Sequence, residues 1–339
     1  MLHRLTIICL ILLGTYAPGT GAHPPQASTG VQYALVIAGI GGEAHYVDQN
    51  WAWASGIYKV LNEEHGFTED RLFLLVENPD TDLAIPAQKS TLKAIENVFD
   101  LLSQRMKLDD DLFVILIGHG NATGSGTKLN ISGPDLSASA LNALLNKVKS
   151  RYQVVVNGAS SSAPFINTLS GTNRSIITAT KSGTERLATT FPAHFMAALS
   201  VANSDLDKDG KVSLLETFNY TKLKTAEWYD EQGRLATEHP LLDDNGDQAG
   251  SRDPGGKDLD GSLARTIIFG RKMSIAAPPE ATGEAKIILA EIADLQEKIN
   301  ALRKEKDTLA PDSYSARFEK LLIQLAKANQ ILKAIQEAP

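Results

Sequence analysis

Five short apolar runs punctuate the chain: 33–40 (YALVIAGI), 72–76 (LFLLV), 112–117 (LFVILI), 153–157 (QVVVN) and 175–179 (SIITA). Continuous runs this short, rich in Val, Ile and Leu, predict strands covered on both faces. Between them the apolar residues fall at helical spacing. Trp51, Ala54, Ile57, Tyr58 and Leu61 predict a helix over 48–64 that stops at Gly66. Leu92, Ile95, Phe99 and Leu102 predict another over 91–106, capped by Ser90. Helices are also expected over 138–148, 190–201 and 214–229, a loop-rich acidic stretch over 230–262, and an edge strand over 265–269. Strands alternating with such helices make βαβ units, whose right-handed crossovers build a mostly parallel sheet with helices on both faces. The expected body is one α/β domain over 31–272.

Beyond a linker at 273–283 the period changes. Ile288, Ile292, Leu295, Ile299, Leu302, Lys306 and Leu309 are spaced by fours and threes. After the turn signal Pro311-Asp312-Ser313, so are Tyr314, Phe318, Leu321, Leu325, Ala328, Leu332 and Ile335. This predicts a coiled-coil-like α-helical hairpin over 284–337, a surface through which the chain could self-associate.

At the other end, His3 and Arg4, the apolar run 5–13 and the small residues Thr20-Gly21-Ala22 have the layout of a signal peptide over 1–22. The run is too short to span a bilayer, and no later one is long enough. The expected location is therefore secreted or periplasmic, with no membrane span after cleavage. The sole cysteine, Cys9, lies in the leader, so the mature chain would have none. A formal charge of −7 argues against nucleic-acid binding, which calls for a basic excess.

Two predicted strands end in reactive positions. The run 112–117 breaks at Gly118-His119-Gly120, and the run 153–157 breaks into Gly158-Ala159-Ser160-Ser161-Ser162. In a parallel sheet the loops at the carboxyl ends of neighbouring strands converge on one crevice. His119 and Ser160 are thereby a candidate base and nucleophile.

An apolar strand ending in His-Gly, then another ending in a nucleophile followed by small residues, resembles the caspase and legumain group of cysteine peptidases. The sequences TATKSG (178–183) and EHPLLDDNGD (238–247) extend the resemblance to secreted bacterial members of that caspase-like group. The resemblance implies a caspase-like fold and a peptide or protein substrate or ligand. It also implies His119 as general base or acid, with the backbone N–H groups of Gly120 and Ser160 as an oxyanion hole. Glu185 lies where such proteins often build a pocket for a basic side chain.

The family places cysteine where this chain has Ser160. A thiol of pKa about 8.5 is partly ionised at neutral pH and intrinsically nucleophilic. A serine hydroxyl needs a hydrogen-bonded base, itself oriented by a third group. Three readings follow: a catalytically impaired or pseudo-peptidase, a true serine nucleophile at Ser160, Ser161 or Ser162, or an engineered cysteine-to-serine variant. A non-catalytic, calcium-stabilised interaction scaffold overlaps with the first.

Residues 205–216 (DLDKDGKVSLLE) match a twelve-residue EF-hand-type calcium loop. Asp205, Asp207, Asp209, Ser213 and Glu216 would offer side-chain oxygens and Lys211 its carbonyl, around the glycine at loop position 6. Calcium is the expected cofactor. A second oxygen-rich turn, 243–247 (DDNGD), is a weaker cation candidate, since such turns are common without metal. Finally, Gly39-Ile40-Gly41-Gly42-Glu43-Ala44 fits the dinucleotide fingerprint G-x-G-x-x-A, with Glu77 ending the next strand. Against that, the expected helix starts near Asp48, too late to offer its first amides to a pyrophosphate.

Overall fold

The structure, a computed structural model, describes residues 30–124, 126–206, 211–255, 260–270 and 309–337, and single positions between 288 and 302. The expected signal peptide, the linker, and the loop residues Asp207 and Asp209 lie outside the described residues.

The described strands are β1 (Gln32–Ala38), β2 (Leu72–Val76), β3 (Ala87–Lys89), β4 (Asp111–Ile117), β5 (Gly120–Thr123), β6 (Gly126–Leu129), β7 (Leu136–Ser137), β8 (Tyr152–Asn157), β9 (Arg174–Thr178) and β10 (Leu241–Asp243). Seven of them form one sheet in the order β10-β9-β8-β4-β1-β2-β3. All its neighbours pair in parallel except β10, which runs antiparallel along β9. The mostly parallel α/β sheet expected from the apolar runs is the sheet observed.

Each central strand sends alternate side chains into two separate cores. On one face Val36, Phe113 and Val154 pack with Ile57, Phe195 and Phe218. These come from α1 (Ala44–Glu63), α5 (Phe191–Ala198) and α7 (Leu214–Glu231). On the other, Leu35, Val114 and Val155 meet Phe99, Leu141 and Phe165. Those belong to α2 (Leu92–Arg105), α3 (Ala138–Leu145) and α4 (Phe165–Leu169). Burial of each such side chain contributes roughly 1.5–3 kcal/mol. Both faces being covered is why the strands read as unbroken apolar runs rather than as alternation.

Several elements differ from expectation. Helix α1 opens at Ala44, directly after the glycine turn, because a bare Gly41 lets that turn close on the first helical residues; a Cβ there would lie 2.4 Å from the Val47 nitrogen. The polar stretch after β4 is not simply loop. β5, β6 and β7 form a small antiparallel sheet with Leu129 and Leu136 buried in the second core. Residues 265–269 are not an edge strand; Ile268 makes only an isolated bridge to Ser213, while the short β10 inside the acidic stretch takes the edge. The helix expected over 190–201 is α5 followed by a separate turn, α6 (Val201–Ser204).

Near the C-terminus a helix spans Pro311–Glu337. Leu295, Ile299, Leu325 and Ala328 form a buried cluster of their own, with Ile288, Phe318, Leu321 and Leu322 packed against it. All of these except Leu322 are positions in the four-three series.

Candidate active site

The chain steps from β1 out to β2 and β3, then back across β1 to β4. The switch point therefore lies between β1 and β4, the place where parallel sheets open a crevice at their carboxyl ends. The Gly39–Gly42 turn follows β1, His119 follows β4, and Ser160 follows β8, the next strand along. The Gly158 N–H donates to the Leu116 carbonyl (2.8 Å), holding the ends of β4 and β8 together.

Glycine at position 120 is a packing requirement. A Cβ there would lie 2.4 Å from the Ser160 carbonyl oxygen and 3.0 Å from that of Lys128. With no side chain in the way, the Gly120 N–H donates to Ser160 Oγ (3.2 Å), and the hydroxyl donates in turn to the Gly120 carbonyl (3.3 Å). Ser160 is 1% exposed. None of the hydroxyl's hydrogen bonds goes to the His119 ring.

The three consecutive serines have different surroundings. Ser161 adopts a left-handed backbone (φ 53°), its N–H donates to the Glu185 carbonyl (2.8 Å), and its buried hydroxyl meets no partner among the described residues. Such a φ in a residue with a Cβ costs free energy and is held by what surrounds it. Ser162 Oγ lies 3.1 Å from Thr180 Oγ1 and accepts from the Thr180 N–H (3.2 Å); Thr180 Oγ1 accepts from the Ala163 N–H (3.0 Å). This clamp fixes the turn that presents Ser160.

The His119 ring is half-buried and meets Tyr46 edge-on at 4.8 Å. Burial lowers its pKa below the usual histidine value, with His45 adding to that and the Gly41 carbonyl and Glu43 opposing it. The ring is thus neutral near pH 7 and able to accept a proton. Among the described residues it has no carboxylate hydrogen bond that would orient it as a triad's third member does.

Glu185 is taken up within the chain. One carboxylate oxygen lies 2.5 Å from His239 Nδ1, the other accepts from the Lys181 N–H (2.8 Å), and the side chain is 12% exposed. Through its carbonyl it also holds Ser161, so it braces the nucleophile turn. Sequence reasoning missed the neighbouring Glu238, whose carboxylate accepts from the Thr190 N–H (2.7 Å), Thr190 Oγ1 (2.8 Å), the Phe191 N–H (3.1 Å) and the Tyr229 hydroxyl (3.1 Å). Burial pushes its pKa up, and those bonds work against the rise. It caps the start of α5, next to Thr189, whose hydroxyl reaches the Gly158 carbonyl (2.5 Å). A fully buried glutamate is invisible in a pattern that counts acids as surface residues; only its place in EHPLLDDNGD marked it.

Of the calcium-loop residues, Asp205, Lys211, Ser213 and Glu216 are described. Glu216 and Ser213 form a reciprocal capping box on α7. Glu216 Oε1 also accepts from the Leu206 N–H (3.2 Å), which ties the twelfth loop position to the second. In the turn 243–247 the carboxylates serve backbone amides instead. Asp244 accepts from Gly261 N (2.8 Å) and Ala264 N (2.7 Å), and Asp243 from Gly246 N (3.2 Å). The nearby Asp260 accepts from Asp244 N (2.9 Å) and is pushed up to about 6 by burial and by the charges of Asp243 and Asp244. Among the described residues no group of three acidic or histidine side chains is placed to hold a metal.

The glycine turn after β1 does open a helix, contrary to the sequence argument, yet it is closed to a pyrophosphate for another reason. Glu77 Oε2 accepts from the Gly41 N–H (2.9 Å), putting a carboxylate where a phosphate would have to sit.

No family model matches the chain, and no curated protein matches it. Among solved structures it is similar to the Drosophila initiator caspase Dronc at 12% identity, over 66% of this chain and 82% of that one, with a TM-score of 0.38. It is also similar to protein GSU0716 from Geobacter sulfurreducens at 11% identity, over 68% of this chain and 97% of that one, with a TM-score of 0.41. Both scores are below 0.5, and neither likeness bears on what the site does.

Proposed function

We propose that this chain is a secreted protein of the caspase and legumain-like peptidase group in which serine replaces the nucleophilic cysteine, leaving it catalytically impaired or a pseudo-peptidase with a calcium-binding loop. The reading is supported most by one observation: both hydrogen bonds of the Ser160 hydroxyl are to the Gly120 backbone and none is to His119. A carbonyl oxygen cannot remove the hydroxyl proton, so the oxygen stays a weak nucleophile. Were a cysteine present, ionisation of the thiol would reduce the need for a hydrogen-bonded base, and His119 would serve chiefly to protonate the leaving amine.

Introducing that cysteine tests the reading. The Ser160→Cys protein is assayed against a mixture of short peptides alongside the natural chain. Cleavage by the variant alone, abolished when His119→Ala is added, supports an impaired peptidase. Equal cleavage by the natural chain would overturn the impairment, and silence from both would overturn the peptidase relationship.

A second reading, an active serine hydrolase, draws on the neutral His119 at the mouth of the crevice. It requires the Ser160 hydroxyl to turn from the Gly120 carbonyl towards the ring when a substrate binds.

A further inference from the structure

At the opposite end of the sheet, where β8 and β9 begin, lies a cavity of about 530 Å³. Gln153 and Arg174 are register partners there, and Asn142 and Asn146 reach it from the end of α3. Arg151 and Lys149, on the loop leading into β8, complete the polar wall, and among the described residues no aspartate or glutamate lines it. In a chain with a formal charge of −7, that is a local inversion of sign.

The cations in this wall are not equivalent. Arg151 is neutralised by Asp111 through a two-pronged pair (3.0 and 2.8 Å) and lies over the Tyr152 ring. Arg174 has only neutral acceptors. Its Nε donates to Gln153 Oε1 (2.8 Å), Nη1 to Asn142 Oδ1 (2.7 Å) and the Leu169 carbonyl (3.1 Å), and Nη2 to Asn146 Oδ1 (2.7 Å). Those four bonds leave one of the five guanidinium N–H donors, on Nη2, for something else. Neither Arg174 nor Lys149 forms an ion pair among the described residues. Burial disfavours the charge on Arg174.

A half-buried guanidinium fixed by three amide side chains and given no counter-ion is arranged to receive one. The amides orient it without neutralising it, which preserves its field for a ligand. We propose that this cavity binds a tetrahedral oxyanion, phosphate or sulfate, with Arg174 and Lys149 as its charged contacts. The volume leaves room beyond the anion itself, so the group is either free or carried on a small organic molecule. This site is independent of the chemistry at Ser160.

Calorimetric titration of the full chain with inorganic phosphate, inorganic sulfate and glycerol 3-phosphate, at ionic strength held constant with chloride, tests the assignment. Saturable binding is expected, weakened at least tenfold by Arg174→Lys and severalfold by Lys149→Ala. Lys149 is exposed, so its variant keeps the test valid if Arg174→Lys does not fold. Equal affinity for phosphate and its ester would make the free anion the ligand; tighter binding of the ester would make it a carried group. Absence of saturable binding, or binding unchanged by Lys149→Ala and by any folded Arg174→Lys, would overturn the proposal.

Discussion

Ser160 and Gly120 hold each other across the ends of two parallel strands: the Gly120 N–H donates to the serine hydroxyl at 3.2 Å, and the hydroxyl reaches the Gly120 carbonyl at 3.3 Å. The residue expected to attack is thus engaged by the residue expected to help bind the oxyanion. A hydroxyl held this way rests in a stable, unreactive arrangement.

That contact depends on the bare backbone at position 120. Gly120→Ala places a methyl group 2.4 Å from the Ser160 carbonyl oxygen and must push the two strand ends apart. The expected cost is roughly 1–3 kcal/mol. Urea unfolding should show it as a lower midpoint at an unchanged slope.

Glu238 should matter to stability although it takes no part in the His119 and Ser160 pair. Glu238→Ala removes the acceptor for three donors at the start of α5 and for the Tyr229 hydroxyl of α7, leaving the Thr190 and Phe191 donors without it while Tyr229 keeps Thr237. The expected loss is about 2–4 kcal/mol, at least twice that of Glu238→Gln, which keeps one acceptor oxygen. Thermal melts of the two variants check the ranking.

Asp260 gives the stability a sign with pH. Its folded pKa, about 6, is above the ordinary carboxylate value, so between those two values the folded state holds the proton more tightly than the unfolded chain. Its contribution is present below pH 4 and is lost as the pH rises through about 6. Asp260→Asn, which keeps an oxygen for the Asp244 amide, should therefore raise the melting temperature at pH 7 relative to the natural chain, and the advantage should shrink towards pH 4.

Calcium should stabilise the chain through 205–216. At a hundredfold excess over its dissociation constant the gain is about 2.7 kcal/mol, a rise in melting temperature of roughly 5–10 °C. Glu216→Gln should abolish that rise while retaining much of the capping box. A melting temperature indifferent to calcium and to chelator would exclude the site.

How legible all this is in the sequence depends on burial. Strands such as β4, sealed on both faces, declare themselves as LFVILI, and the crevice follows from where those runs stop. The hairpin of β5 and β6 does not, because it is short, half exposed and built from Gly, Asn, Thr and Lys, the composition of a loop. β10 hides in an acidic stretch because Asp243 at its end and Asp244 just after it are buried and turned to backbone amides rather than to water. The apolar stripe places the start of α1 too late because Ala44, His45 and Tyr46 precede it, and the glycine turn that admits them leaves no periodic signal. His119 and Ser160 can be named from strand ends alone, and Gly120 only through the family resemblance; that Ser160 bonds to Gly120 rather than to His119 depends on side-chain torsion, which spacing does not record.

The most direct test of the central claim is intact-mass spectrometry of the chain after exposure to a broad fluorophosphonate, with and without calcium, beside Ser160→Ala and His119→Ala. The account predicts no adduct under either condition. A single adduct on the natural chain, lost in both variants, would show a histidine-activated serine and contradict it.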